Sequence, residues 1–154
     1  MALQGRLGGV TQGLDLSGEW NGRLFQGRIG GYVEGQDVRL DATEAGMSGR
    51  VGSYTRGFDV TAVVEGMGFR VRLGGYSAGT DARLDFTPEG ALGRLGSFTA
   101  GEDLSLRHYA GEVRGRFGGM TRGIDVRLDL GEVPLPVGAL FALCAREVWR
   151  QAPS

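Results

Sequence analysis

The chain contains no lysine. All 17 of its basic side chains are arginines, which are set against 18 acidic side chains to give a formal net charge of -1. A protein without overall positive charge has no global attraction for nucleic acid or for an anionic membrane, so we expect no nucleic-acid partner. Cysteine occurs once, at Cys144. This excludes an internal disulfide and predicts a small buried side chain in a reducing compartment.

Long hydrophobic runs and catalytic groupings are also lacking. Residues 1–10 show no basic stretch followed by an apolar one, so we expect no signal peptide and a cytoplasmic location. The uninterrupted apolar run, 137–145, is shorter than the about 20 residues that cross a bilayer as a helix, and we expect no transmembrane span. His108 is the only histidine and belongs to no catalytic arrangement or metal-ligand spacing. We therefore expect no enzyme activity, no cofactor and no metal site.

Glycine is abundant instead, with 30 residues that recur at a fixed step. Gly-x-Asp occurs six times, always 22 residues apart, at Gly13/Asp15, Gly35/Asp37, Gly57/Asp59, Gly79/Asp81, Gly101/Asp103 and Gly123/Asp125. Arg-apolar-Gly keeps the same step and begins at Arg6, Arg28, Arg50, Arg72, Arg94 and Arg116. Six repeats without insertion or deletion thus cover residues 1–132, and a different segment, 133–154, follows them.

Within each repeat, apolar and polar residues alternate with the period of a β-strand. In the second repeat, Phe25 and Ile29 fall on one face of a strand, and Val38 falls on the same face of the next. Turn signals separate the strands, such as Asn-Gly at 21–22 and Thr-Pro-Glu-Gly at 87–90. Connections this short join antiparallel neighbours. The six repeats therefore predict a twelve-stranded up-and-down meander.

A twelve-stranded sheet with one apolar face has two edges to protect, and closure into a barrel removes both. Strands about 4.8 Å apart and tilted about 40° give a barrel radius of roughly 12 Å, which holds one helix about 10 Å across and one layer of inward side chains. Residues 138–149 are apolar on nearly all sides, as in a buried helix. Pro134 and Pro136 mark its start, and inward glycines such as Gly27 and Gly49 leave room for it.

The predicted fold is mainly β. It is a closed twelve-stranded antiparallel barrel of six hairpin repeats, residues 1–132, with a hydrophobic C-terminal helix, residues 133–154, along its axis. Barrel and helix form a single domain, which we expect to be a monomer. An alternative is a self-assembling β-solenoid in which each repeat is one coil and the tail is a cap, because open solenoid ends favour filaments.

Twelve antiparallel strands around a hydrophobic C-terminal helix resemble the superfamily of the tubby C-terminal domain, the LURP-one-related proteins and the phospholipid scramblases. Six near-identical hairpins are also similar to the bacterial repeat proteins called β-flowers. The resemblance covers the whole chain through strand number, strand order and the terminal helix, but no functional motif maps residue by residue. It implies a non-enzymatic binding or scaffold domain, peripheral to a membrane, that contacts anionic lipid headgroups or a partner protein at one rim.

Several motifs have a plain structural interpretation. A calcium β-roll needs tandem nonapeptides rather than a step of 22 residues, so we interpret the glycine of Gly-x-Asp as a turn residue and the aspartate as its cap. The segment 27–35 does not lead into a helix, as a phosphate-binding loop does. We interpret an outward aromatic column as packing over outward glycines rather than as a membrane belt. Its members are Tyr32, Tyr54, Tyr76 and Phe98.

The arginine column raises the question of an anion site. If residues 33–36 connect the two strands of the second repeat, Arg28 faces Asp41 in a weak cross-strand ion pair. The same register places Arg6, Arg72 and Arg116 opposite Glu19, Asp85 and Asp129, respectively. It places Arg94 opposite Arg107, with Arg83 on the other side. We expect this local excess of positive charge to be the best anion-binding candidate. Its residues are Arg70, Arg72, Arg83, Arg94, Arg107, Arg114 and Arg116.

Overall fold

A computed structural model describes residues 2–9, 12–30, 35–53, 55–75, 78–97, 99–119 and 123–151. It contains twelve β-strands followed by one α-helix. The strands are β1 Ala2–Gly8, β2 Gly13–Trp20, β3 Leu24–Gly30, β4 Gly35–Ala42, β5 Gly46–Gly52, β6 Gly57–Glu65, β7 Gly68–Gly74, β8 Gly79–Thr87, β9 Gly90–Leu95, β10 Glu102–Tyr109, β11 Glu112–Gly118 and β12 Gly123–Asp129. The helix, α1, is Leu135–Gln151.

The twelve strands form one closed antiparallel barrel. Each strand pairs with its neighbours in the chain, and β1 pairs with β12 to close the ring. The predicted barrel is confirmed. The solenoid interpretation of the repeat is wrong, because each repeat forms an antiparallel hairpin and each of the twelve strands has a partner on both sides.

The two ends of the barrel differ. At one end, here called the loop end, the connections are 9–12, 31–34, 53–56, 75–78, 96–101 and 119–122. At the other end, here called the turn end, they are 21–23, 43–45, 66–67, 88–89, 110–111 and the segment 130–134 that leads into α1. The predicted Asn-Gly turn at 21–22 is one of these turns. Asn21 Oδ1 accepts hydrogen bonds there from the N–H groups of Arg23 and Leu24, at 2.9 and 2.8 Å.

Helix α1 fills the barrel. Every residue from Val137 to Ala145 is buried, and those from Ala139 onward have no exposed surface. The helix begins at Leu135, between the two prolines that were predicted to mark its start. It enters at the turn end, where Gly138 packs against Leu3, and it finishes at the loop end, where Trp149 packs against Gly8. The predicted central helix is therefore confirmed.

Phe25 connects the barrel wall to the helix. Its ring centroid is 4.7 Å from that of Phe141 on α1, with the ring planes at 57°. Gly18 and Gly27 pair across β2 and β3, and the Phe25 ring lies over both. A Cβ at Gly18 would come within 2.2 Å of Phe25 Cζ, and one at Gly27 within 2.7 Å of Cε2. The space at Gly27, which was predicted to admit the helix, is thus taken by an aromatic ring that itself contacts the helix.

The hairpin register differs from the prediction by four residues. Arg28 lies opposite Asp37, not Asp41, and Gly30 lies opposite Gly35. The reason is the glycine that ends the first strand of each repeat. Gly30 has a φ of +100°, in the left-handed region that favours glycine. The backbone leaves the pleated conformation there, so the connection is residues 31–34 rather than 33–36.

The same correction holds for the other ion pairs predicted from that register. Arg6, Arg72 and Arg116 lie opposite Asp15, Asp81 and Asp125, not opposite Glu19, Asp85 and Asp129. The glycines at the equivalent strand ends also have left-handed φ angles, namely Gly8 (+100°), Gly52 (+90°), Gly74 (+110°), Gly96 (+96°) and Gly118 (+87°). Because the shift is an even number of residues, every side chain stays on the face that the sequence predicted.

Candidate functional site

The six arginines of the repeated column hold the hairpins together. In each repeat, Nη1 donates to Oδ1 of the aspartate nine residues later, at 2.7–2.9 Å in the pairs Arg6–Asp15, Arg28–Asp37, Arg50–Asp59, Arg72–Asp81 and Arg94–Asp103, with Arg116–Asp125 as the sixth. In the five repeats whose carbonyl three residues later lies among the described residues, the guanidinium also donates to it; this carbonyl belongs to Gly9, Ser53, Gly75, Ser97 or Gly119. In these repeats the arginine thus ties the loop to the second strand.

This geometry corrects the interpretation of Gly-x-Asp. Gly35 begins β4 rather than making the turn, and Asp37 accepts a hydrogen bond from Arg28 rather than capping the turn. The same holds in the other repeats, where each aspartate binds the arginine of the partner strand. The aspartate column is therefore engaged in structural ion pairs on the outer wall of the barrel.

The seven arginines predicted to form one cluster belong to different arrangements. Arg72, Arg94 and Arg116 are column arginines with their own aspartates. Arg94 lies opposite Asp103, so the predicted contact with Arg107 is wrong, because the register lies four residues away. Its predicted neighbour on the other side, Arg83, is confirmed.

Three of the predicted residues form what we call the three-arginine row. Arg70, Arg83 and Arg94 lie directly opposite one another on β7, β8 and β9. Each of the three pairs with a different carboxylate. The partner is Glu65 for Arg70, at 3.5 Å, Asp85 for Arg83, at 3.4 Å, and Asp103 for Arg94, at 2.8 Å. The charge of this row is therefore balanced.

A second set, the four-arginine row, crosses the closure of the barrel. Arg107, Arg114, Arg127 and Arg6 lie opposite one another on β10, β11, β12 and β1. Neighbouring strands are about 5 Å apart, so the row is roughly 15 Å long. It lies on the outer wall and slants across β10 to β1.

The four-arginine row is paired with fewer carboxylates than it has cations. Glu112 serves both Arg114, at 2.8 Å, and Arg127, at 3.8 Å, and Arg6 binds its column aspartate. Arg107 is exposed and, within the described part of the chain, has no carboxylate partner. Asp129 adds one more negative charge beside the row, on the same face of β12 as Arg127. Four arginines and three carboxylates leave a local excess of one positive charge.

Two features shape the surface around this row. The ring of Tyr109 lies 4.6 Å from the guanidinium carbon of Arg114, as in a cation–π contact. A shallow depression of about 500 Å³ borders the row, and Arg6, Arg114 and Arg127 contribute to its lining. Asp125, the partner of Arg116, also contributes to this lining.

Sequence reasoning included Arg107 and Arg114 but missed Arg6 and Arg127 as members of the site. Arg6 was recognised only as part of the repeated column, and Arg127 was not singled out. The signal that finds them is the pairing of the first strand with the last. Once β1 lies beside β12, Arg6 and Arg127 are opposite each other.

The polar end of α1 closes the loop end of the barrel. Glu147 is buried, and its Oε2 accepts hydrogen bonds from Thr80 Oγ1 at 2.8 Å and Gln151 Nε2 at 3.0 Å. Arg146 binds Glu102 on the wall. Burial raises the pKa of the Cys144 thiol, and the negative charge of Glu147 raises it further. The thiol is therefore kept protonated, which makes it a poor nucleophile.

Four other predictions concern a membrane-spanning helix, a metal site, the aromatic column and His108. Among the described residues, no helix is long and apolar enough to cross a membrane. Within the same residues, no group of three or more histidine, cysteine, aspartate and glutamate side chains is arranged to hold a metal ion. Tyr32, Tyr54, Tyr76 and Phe98, the predicted aromatic column, lie outside the described residues. His108 is exposed, one residue from the end of β10.

Comparison of the chain with protein-family models, with curated proteins and with solved structures found no match. The resemblance to the tubby and scramblase superfamily therefore stays a prediction, and the functional argument depends on the geometry of the barrel wall.

Proposed function

We propose that this protein is a non-enzymatic binding domain that contacts the anionic headgroups of a lipid surface through the four-arginine row. The observation that carries the proposal is that, within the described part of the chain, the four arginines pair with two carboxylates and Arg107 is exposed without one. A guanidinium presents several donors in one plane and matches the oxygen atoms of phosphate and carboxylate groups.

The form of the row supports a surface rather than a small ligand as the target. Its guanidinium groups emerge from four consecutive strands of a closed sheet, so the backbone keeps their order and spacing fixed. A row of roughly 15 Å on a convex wall does not enclose one small molecule, but it can address several headgroups side by side. Because α1 fills the interior, the outer wall is the surface that supports binding in this proposal.

The strength of such binding can be estimated. An arginine close to an anionic leaflet contributes about 1 kcal/mol, and this falls with distance over the Debye length. The four arginines therefore contribute a few kcal/mol, which Asp15, Glu112 and Asp129 largely offset. We expect weak, reversible association that weakens as salt is raised.

The test is flotation with phosphatidylserine-containing vesicles at low salt, with pure phosphatidylcholine vesicles as the neutral comparison. Replacing two arginines of the row by Arg107→Gln and Arg127→Gln removes about 2 kcal/mol, so we expect roughly 30-fold weaker binding. The matched control is Arg39→Gln with Arg56→Gln. It changes the net charge equally, both side chains are exposed, with Arg39 at 60% against 59% for Arg127, and they lie on β4 and in the connection 53–56, away from the row.

We expect the control to bind like the parent protein, and Asp129→Asn to bind more tightly, because it removes a repulsive charge beside Arg127. Thermal unfolding of all variants checks that the barrel is intact. Failure of the parent protein to float with anionic vesicles at low salt would refute the proposal. Equal losses in the two double variants would show that net charge, not the row, is responsible.

A further inference from the structure

Large apolar side chains are exposed in one sector of the barrel. Among the described residues, the most exposed are Met67 (79%), Tyr109 (59%), Val64 (57%) and Leu92 (53%). All four lie at the turn end, on strands β6 to β10 or in the turn between β6 and β7. Single exposed apolar residues are ordinary on protein surfaces. Leu92 and Tyr109 lie on the outer wall, whereas Val64 pairs with the inward-facing Phe69 and lies at the inner rim. These four residues at one end and in one sector are here called the apolar tip.

The apolar tip borders the four-arginine row. Tyr109 belongs to both, since its ring packs on Arg114. Arg107 lies opposite Gly90, two residues before Leu92 on β9. Glu65 and Asp85 also lie in this sector, but each of these carboxylates is paired with an arginine of the three-arginine row. Cationic and apolar groups thus meet at the same end of the same wall.

The turn that carries Met67 is firmly supported. Met67 lies in the two-residue turn 66–67, and its carbonyl accepts a hydrogen bond from the N–H of Phe86 at 3.0 Å. Behind the turn, the rings of Phe69 and Phe86 meet edge to face with centroids 5.6 Å apart. A turn whose apolar side chain is 79% exposed, beside cationic groups, suits the boundary between anionic lipid headgroups and acyl chains.

From this arrangement, which depends on the function proposed above, we infer how the protein meets the bilayer. The turn end of β6 to β10 enters an anionic leaflet with Met67 foremost, and Arg107 and Arg114 bind headgroup phosphates. Tyr109 lies at the boundary between headgroups and acyl chains, where its ring contacts apolar chains and its hydroxyl contacts water. Glu89, in the turn between β8 and β9, keeps the insertion shallow, because burying its charge is costly. The loop end, with the last turn of α1, faces away from the membrane.

The inference is tested with a fluorophore at the tip. In a Cys144→Ala background, Met67→Cys and Ala100→Cys are each labelled with an environment-sensitive dye. Both positions are exposed and lie in connections between strands, but Ala100 is in the connection 96–101 at the loop end, which faces away from the membrane in this orientation. Vesicles contain phosphatidylserine and a lipid with a nitroxide on its acyl chain.

We expect quenching at position 67 but not at position 100, and no spectral change with inorganic phosphate alone. We also expect Met67→Ser to bind vesicles roughly tenfold more weakly, because part of the burial of one apolar side chain is lost. Flotation without quenching at position 67 overturns the orientation and leaves the proposed function standing. Equal quenching at both positions, or a response at 67 to phosphate alone, also overturns it. Absence of flotation refutes the proposed function itself.

Discussion

Replacing Gly18 by alanine probes the packing between the barrel wall and the central helix. The new Cβ would lie 2.2 Å from Phe25 Cζ, whereas ordinary contact begins at about 3.4 Å, so the ring must move by more than 1 Å. Phe25 has no exposed surface and already contacts Phe141, which is also fully buried. Extra volume in a filled core costs about 1–3 kcal/mol. We expect Gly18→Ala to lower the free energy of unfolding by that amount.

The assay is urea unfolding, followed by the fluorescence of the two tryptophans. A second substitution, Phe25→Leu, removes the ring that the new methyl group meets. Alone it creates a cavity and costs about 1–3 kcal/mol, but together with Gly18→Ala the loss should be at least about 1 kcal/mol smaller than the sum. Gly119→Ala is the control, since no atom lies within 4 Å of its added Cβ. Additive losses, or a change below about 0.5 kcal/mol for Gly18→Ala, would refute the packing described here.

Two further predictions concern α1. Because burial and Glu147 raise the pKa of the Cys144 thiol above its unfolded value of about 8.5, the folded protein binds that proton more tightly. The resulting stability is present at neutral pH and is lost as pH rises above about 8.5. The free energy of unfolding, measured in urea, should then fall by about 1.4 kcal/mol per pH unit. This fall should be absent from Cys144→Ala. Arg146→Gln leaves the half-buried Glu102 without its cation, so we expect the free energy of unfolding to fall by about 1–3 kcal/mol in the same assay. Adding Glu102→Gln should largely restore the stability. An equal loss in the double variant would contradict this account.

The architecture was predictable because the same two-strand pattern occurs six times in the sequence. Alternation with period two placed Phe25, Ile29 and Val38 on the inner face, where all three are buried. The run that ends at Ala145 had no polar face and needed an enclosed position, which only the barrel interior offered. Each of these inferences depends on a pattern repeated along the chain, so an error in one repeat would have been visible in the others.

The register was not predictable in the same way. A shift of four residues leaves Arg28 outside and Ile29 inside, so the hydrophobic pattern accepts both alternatives. Conformation and hydrogen bonding decide between them. Gly30 turns the backbone with φ at +100°, and wherever the loop carbonyl lies among the described residues the column arginine also binds it. Since the candidate site is defined by which arginines lie opposite one another, an error in register rearranged the site while leaving the fold correct.

The closure of the barrel has a consequence for any activity of the four-arginine row. Arg6 and Arg127 come from the first and last strands and become neighbours only when β1 pairs with β12. A chain that has formed only some of its hairpins presents a shorter row, with a lower charge density and a shorter reach. Under the function proposed above, affinity for an anionic surface would report on the completeness of folding, because partly folded chains would be released first. The strand pair that finishes the ring also finishes the row.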